Sequence, residues 1–479
     1  MSDARAKEGR GGDVTAIPAA SQKEAAGGAI GDLLGDAAAR AGRYLEEAAG
    51  RPVAPSKEAV ARLAELDVPL QAEPLDPAAV LAELDDICSP ATVASAGPRF
   101  YGFVIGGSLP AALAANVLAG AWDQNAGLRV ASPAAAALED VSARWVTSVL
   151  GLPTEAGVGF ASGATMANLT SLAAARHAVL EAHGWNVESD GLQGAPGITV
   201  VAGAEVHVSI LKALTLLGFG RDRVVRVPVD DQGRMIAAEV PTLDGPAIVC
   251  LQAGNVNTGA FDPAAEIIER LRGSGAWAHV DGAFGLWAAA SPEKRHLAEG
   301  FAGADSWTTD AHKWLNVPYD SGLAIVRDPA HLHAAMAAGA AAYLLHGERP
   351  DPYLAVPEMS RRARGAEVWA ALRSLGTHGL AELIDRCCRH AQRIAEALAA
   401  AGYEVLNEVV LNQVLASFGD PDVTRRVIAG IQAEGTAWMG GTEWQGRTAI
   451  RVSVSSWATT DTDVDRTIEA VLRVARDVA

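Results

Sequence analysis

The sequence predicts an α/β protein: a mainly parallel sheet with helices on both faces, an N-terminal helical arm, and a small C-terminal α+β domain. Between Arg99 and Met359, short apolar runs alternate with helical runs, the pattern of strands joined by crossover helices. Beyond Arg361, long helical runs come first and strands follow. With 479 residues the chain is long enough for two or three packed cores.

Residues 1–28 are rich in Ala, Gly, Ser and Lys without apolar periodicity, and a disordered tail is expected there. The arm covers 29–98. Its first helix is marked by Ile30, Leu33, Leu34, Ala37, Ala41, Tyr44 and Leu45, and a proline-containing connector and a second helical run follow. Asp76 reads as the N-cap of a third helix with Pro77 in its first turn. So thin an arm has no core of its own and is expected to pack on another domain or subunit. The large domain, 99–359, has strand signals at 157–160, 198–202, 224–227, 247–251, 276–280 and 322–326. Helical runs lie between them at 164–182, 208–217 and 264–272. The small domain, 360–479, has helices at 365–375 and 379–400, strands at 404–406, 414–417 and 448–453, and a closing helix from Asp461. The segment from Thr436 to Arg447 reads as a glycine-containing turn, in which Trp438 and Trp444 either line a pocket or pack the domain.

Hydrophobic residues make up 49% and charged residues 20%, a globular composition. A net charge of -18 disfavours nucleic acid and anionic membrane as partners. Cys88, Cys250, Cys387 and Cys388 form no C-x-x-C pair, so neither a disulfide framework nor a metal site is expected. No apolar run nears the ~20 residues of a membrane span, and the N-terminus lacks a secretory apolar core. A cytoplasmic location is expected.

The chemistry centres on Lys313, which follows His312 in the stretch from Asp305 to Gly322 between two apolar runs. A lysine between core strands is poorly solvated as an ammonium and is a candidate nucleophile for a carbonyl. Upstream, Asp281 ends an apolar run and enters a glycine-rich turn, where a carboxylate can partner a pyridinium nitrogen. Taken singly, each has a plainer reading, a snorkelling lysine and a turn aspartate. Together they point to pyridoxal 5'-phosphate (PLP).

Ser162, Gly163 and Ala164 lie between a strand and a helix, where free amide N–H groups hold a phosphate or where Ser simply caps. His207 opens another helix, either stacked on a planar ring or as a capping or core histidine. Asn257 follows a strand, at the edge where ligands collect in open α/β sheets. Asn168 completes a glycosylation sequon, which carries no meaning without secretion.

Five motifs stand in one order: Ser-Gly-Ala-Thr from Ser162, His-x-Ser-x-x-Lys-Ala from His207, Asn-Thr-Gly-Ala-Phe-Asp-Pro from Asn257, His-Val-Asp-Gly-Ala-Phe-Gly from His279, and Asp-Ala-His-Lys-Trp from Asp310. With them, and with Ser360-Arg-Arg-Ala-Arg364, the chain resembles the group II PLP-dependent amino acid decarboxylases, relatives of the aromatic-amino-acid and glutamate decarboxylases. The resemblance implies a fold-type I enzyme with a seven-stranded sheet, acting as a homodimer on a small amino acid substrate, with the active site near the subunit interface. It makes Lys313 the internal-aldimine lysine, Asp281 the pyridinium partner, His207 the ring-stacking residue and Ala283 the small residue on the opposite face. Ser162, Gly163, Ala164, Asn257, Asp310 and His312 fall where the family gathers phosphate and positioning contacts.

Tyr353 is the expected proton donor, with Tyr343 as the other option. Phe103 and Val104 are expected near the substrate side chain, which hints at an apolar or aromatic substrate. Arg451 either binds a carboxylate or is an ordinary paired strand arginine. Rival readings keep PLP but change the outcome, to a decarboxylating aldehyde synthase, an aminotransferase or a carbon–carbon lyase. A non-catalytic PLP-fold binding protein is more remote, because both Lys313 and Asp281 are present.

Overall fold

The computed structural model describes residues 21–337 and 349–478, with side chains from residue 30 onward. Two compact units emerge: the segment ending at Gly50 with Pro55–Thr92, and Arg51–Ala54 with the chain from Val93 onward. The first holds α1 (Ser21–Ala48), α2 (Lys57–Arg62), a 3-10 turn (Leu63–Leu66) and α3 (Pro77–Ala91). Helix α1 starts at Ser21, so the tail expected over 1–28 is helical from that point. Asp76 caps α3 by accepting from the Ala78 N–H, with proline in the first turn. Arg40 on α1 reaches Asp36 at 3.0 Å and Asp85 of α3 at 2.9 Å.

The second unit contains the large sheet, built from β1 (Gly157–Ala161), β2 (Thr199–Gly203), β3 (Val225–Val227), β4 (Ala247–Gln252), β5 (Trp277–Asp281), β6 (Ser306–Asp310) and β7 (Gly322–Val326). Their order across the sheet is β1-β7-β6-β5-β4-β2-β3. Only β7 runs against its neighbours, β1 and β6; the pairings from β6 through β5, β4 and β2 to β3 are all parallel. Helices α4 (Pro110–Trp122), α5 (Pro133–Val149), α6 (Ala164–Glu181), α7 (Val187–Asp190), α8 (Val208–Leu216), α9 (Ala264–Arg270) and α10 (Pro329–Met336) connect or precede these strands. Neighbouring residues of one strand enter different cores. Val249 and Leu251 join one apolar cluster while Ile248 and Cys250 join another, so both faces of the sheet are covered.

The remainder forms an antiparallel sheet in the order β10-β11-β9-β8, from β8 (Glu404–Val405), β9 (Gln413–Ser417), β10 (Gly440–Trp444) and β11 (Arg447–Ser453). Helices α11 (Gly365–Ala400), α12 (Pro421–Glu434) and α13 (Asp461–Val478) accompany it. Gly376 breaks α11 with φ 60°, in the gap the sequence leaves between two helical runs.

The structure differs from the sequence reading at several elements. The central strand β6, Ser-Trp-Thr-Thr-Asp, is fully buried yet mostly polar, so no apolar run announced it. Strand β10 stands where a turn was expected, paired with β11 around Gln445 and Gly446. Helices α4, α5 and α12 were not assigned.

Candidate active site

Ser162, His207, Asn257, Asp281 and Lys313 all stand at or just after the C-terminal ends of strands of the large sheet, where ligands collect in open α/β folds. Lys313 lies in the turn after β6, and its Nζ is 3.0 Å from Asp310 Oδ2. The ammonium, expected to be poorly solvated between core strands, therefore has a carboxylate partner. Asn316, at φ 55°, fixes this turn. Its side-chain N–H groups donate to the carbonyls of Trp314 at 2.8 Å and Ser455 at 2.9 Å, and its Oδ1 accepts from the amides of Gly107 and Trp457. Gly106 packs so closely that a Cβ there would sit 1.8 Å from the Lys313 carbonyl oxygen, so no side chain fits.

Asp281, at the end of β5, is buried and accepts three hydrogen bonds. Oδ1 takes the Ala283 N–H at 3.2 Å, while Oδ2 takes Asn168 Nδ2 and Ser209 Oγ, each at 3.4 Å. Behind it runs a buried relay. His279 Nε2 contacts Asn168 Oδ1 at 2.9 Å, and Ser306 Oγ contacts His279 Nδ1 at 2.9 Å. Burial pushes the His279 pKa down to about 3, so the ring is neutral.

His207 is the N-cap of α8, and its Nδ1 accepts the Ser209 N–H at 3.2 Å. That acceptor role leaves the proton on Nε2, and burial lowers the ring's pKa. The capping reading is thus correct in itself, and it also holds the ring in place. The Ala283 carbonyl accepts the Asp310 N–H at 2.9 Å, which joins the Asp281 turn to the lysine turn.

Gly163 is the N-cap of α6 and supplies no side-chain hydrogen bond, so the first-turn amides lack a side-chain acceptor. Its Cα sits so near Gly322 that a Cβ on Gly322 would meet it at 2.5 Å, and a Cβ on Gly163 itself would meet His312 Cε1 at 3.1 Å. Ser162 and Ala164 flank it in the same strand-to-helix turn. His312 Nδ1 accepts the Ser321 N–H at 3.1 Å, and its ring stacks on Tyr319 with centroids 4.2 Å apart. Burial, and secondarily Asp310, push the Tyr319 hydroxyl up to about 12.

Asn257 is buried beside β10 and β11. Its Oδ1 accepts from Thr442 Oγ1 at 3.1 Å and lies 3.5 Å from Arg451 Nη1. Arg451 has no carboxylate within 4.0 Å among the described residues, and burial lowers its pKa. The ordinary strand ion pair expected of it is absent there. Phe103 is 61% exposed at φ 55° and packs on Trp438 at 5.3 Å. Trp444 packs the small sheet with Leu415 and Ala449.

Two of the expected residues are packed inside the protein. Val104 is 1% exposed within the main core, so of the two neighbours only Phe103 is exposed. Tyr353 is 3% exposed in a 3-10 turn (Pro352–Ala355), its N–H donating to Gly127, and so is packed in place and not carried on an open loop. Tyr343 lies outside the described residues.

Asn168, Ser209, His279, Asn316 and Tyr319 escaped the sequence reading as site residues. Asn168 stood out only as a sequon, Ser209 and His279 stood inside two of the five motifs without a role assigned to them, and Asn316 and Tyr319 carried no signal of their own.

This arrangement fits PLP. A buried carboxylate, an uncapped helix start, and a lysine beside an Asp310 whose Oδ1 is buried without a hydrogen-bond partner match a ring nitrogen, a phosphate and a carbonyl group. Fold and site together define a PLP enzyme of fold type I.

Residues 58–418 match the family described as the pyridoxal-dependent decarboxylase conserved domain. The chain is 30% identical to L-2,4-diaminobutyrate decarboxylase of Rhizobium meliloti, covering 77% of this chain and 76% of that one. It is 27% identical to aromatic-L-amino-acid decarboxylase of Bacillus atrophaeus, over 80% and 82%. The crystal structure of Oryza sativa TDC with PLP and tryptamine superposes with a TM-score of 0.87 at 23% identity, covering 97% of this chain and 99% of that one. The chain belongs to the pyridoxal-dependent decarboxylase family, and it is a PLP-dependent amino acid carboxy-lyase.

Proposed function

We propose that the protein decarboxylates an L-amino acid with an apolar or aromatic side chain, releasing the amine and carbon dioxide. The observation that carries the substrate class is Phe103. It is exposed, held at φ 55° and packed on Trp438, three residues before the Gly106 that touches the lysine turn. A large side chain kept exposed in a sparsely populated conformation is a feature of ligand sites.

Bound at this site, PLP supplies an electron sink for the pair released when the bond between Cα and the carboxylate breaks. The chain's own groups have distinct tasks. Lys313 would hold the cofactor, and Asp310 balances its ammonium when it is free. Asp281 would keep a proton on the ring nitrogen by placing negative charge beside it. His207, fixed by its cap to α8, would pack against the ring, and Ala283 would leave room for it. Gly163, Ala164 and Ser162 would present amides to the phosphate, with His312 beside Gly163 and Asn257 as a further positioning residue. Arg451, lacking a carboxylate among the described residues, is free to accept one from the substrate.

A homodimer is part of this reading. Helix α4 exposes Val117, Leu118 and Trp122, and the arm exposes Leu45, Leu66 and Leu70, apolar surface that a second copy would cover. The four cysteines are free, which supports a reducing, cytoplasmic compartment.

The test is turnover of L-tryptophan, L-phenylalanine and L-tyrosine against acidic and basic amino acids. The aromatic set is expected to have the higher kcat/KM, and Phe103→Ala is expected to lower that preference about tenfold. Equal turnover of both sets would sink the assignment of substrate class.

A further inference from the structure

The C-terminal half of α6 carries a second cluster, about 20 Å along the helix axis from the Gly163 end. His177 and Glu181 are one turn apart, so both face the same side, and α10 packs there with His331. His177 Nε2 is 3.4 Å from Glu181 Oε2, and His331 Nδ1 is 3.7 Å from that same oxygen. The three donor atoms lie within 4.8 Å of one another.

We propose that His177, Glu181 and His331 form a binding site for a zinc-class divalent cation that ties α6 to α10. Zinc bonds to imidazole nitrogen and carboxylate oxygen are ~2.0–2.2 Å, and a tetrahedral shell of that size sets neighbouring donors about 3.3–3.5 Å apart. The two separations to Glu181, 3.4 and 3.7 Å, are close to that spacing. Two imidazoles and one carboxylate match a three-ligand zinc set with water in the fourth position, and their borderline softness favours zinc over calcium or magnesium.

A further contact prepares the site. His177 Nδ1 is held by Glu188 Oε2 of α7 at 2.7 Å, which orients the ring and aims Nε2 at the cluster. Trp277 packs edge-on against the His331 ring at 5.7 Å. Among the described residues no lysine or arginine lies within 4.0 Å of the Glu181 or Glu188 carboxylates. Glu181 is largely exposed, so an ion can enter from solvent. Sequence spacing did not reveal the site, because His331 joins only through the packing of α10 on α6.

The plain alternative is a pair of histidines hydrogen-bonded to glutamates without a metal, and zinc titration separates the two. PLP-loaded protein, stripped with a chelator and dialysed, is titrated with zinc chloride by calorimetry, with bound metal counted by mass spectrometry. One zinc per chain is expected, with a higher melting temperature. Glu181→Gln and His331→Ala should each weaken binding about tenfold or more while leaving decarboxylation and cofactor absorbance unchanged. Glu181→Gln alters an exposed side chain, so it reports even if His331→Ala folds poorly. Absence of saturable zinc binding, or binding that survives Glu181→Gln undiminished, overturns the proposal.

Discussion

Asp281 and its neighbours show how the site is held at the scale of single residues. Asn168 and Ser209 each donate to Oδ2, so the carboxylate is aimed by two other elements, α6 and α8. Asp281→Asn is expected to lower kcat about 100-fold or more with the fold intact, since it removes the charge that keeps the ring nitrogen protonated. Steady-state kinetics beside a circular-dichroism spectrum checks this. Asn168→Ala should cost less and should also shift the visible absorption of the bound cofactor.

The relay also has a pH signature. The folded His279 pKa is about 3 against 6.5 for the free group, so below pH 6.5 the unfolded chain takes up a proton that the fold refuses. Stability falls as pH drops from 6.5, with a slope approaching ~1.4 kcal/mol per pH unit from this one group. In His279→Gln that component of the slope disappears, as denaturant titrations at pH 7 and pH 5 will register. Lys313, Asp281 and His207 were legible because each sits in a compact local motif. Asn168 contacts Asp281 across 113 positions, a separation no local pattern encodes.

At the scale of elements, the parallel strands were legible where they are apolar on both faces, as in β4 with every residue buried. Strand β6 was not, since Ser306, Thr308 and Thr309 are buried polar residues in a central strand. Ser306 is explained by its bonds to Trp277 and His279. The Ser360-Arg-Arg-Ala-Arg364 stretch likewise gains a physical reason. Arg361 forms a two-point pair with Glu139 of α5 at 2.5 and 2.7 Å, deep in the interior, and Arg364 reaches Asp320 at 2.9 Å. Arg361→Met strands a buried carboxylate and is expected to destabilise the fold by about 3–5 kcal/mol. Arg361→Met with Glu139→Leu should recover most of that loss in chemical denaturation. A double variant no more stable than the single one would contradict the pairing.

Over the whole molecule, the homodimer proposed above would cover the exposed apolar side chains of α4 and of the arm. Leu118→Asp with Trp122→Asp is expected to give a monomer by light scattering and to lose most activity, because the active site lies near the subunit interface in this reading. The central claim, decarboxylation of an aromatic or apolar L-amino acid through Lys313, is tested most directly by product analysis. The PLP-loaded protein is incubated in air with a panel of L-amino acids, and products are identified by mass spectrometry with Lys313→Ala alongside. The expected result is an aromatic or apolar amine with an equal amount of carbon dioxide, absent in Lys313→Ala. Aldehyde in place of amine would contradict the predicted product. Keto acid on adding an acceptor, with no carbon dioxide from any substrate, would contradict the decarboxylase itself.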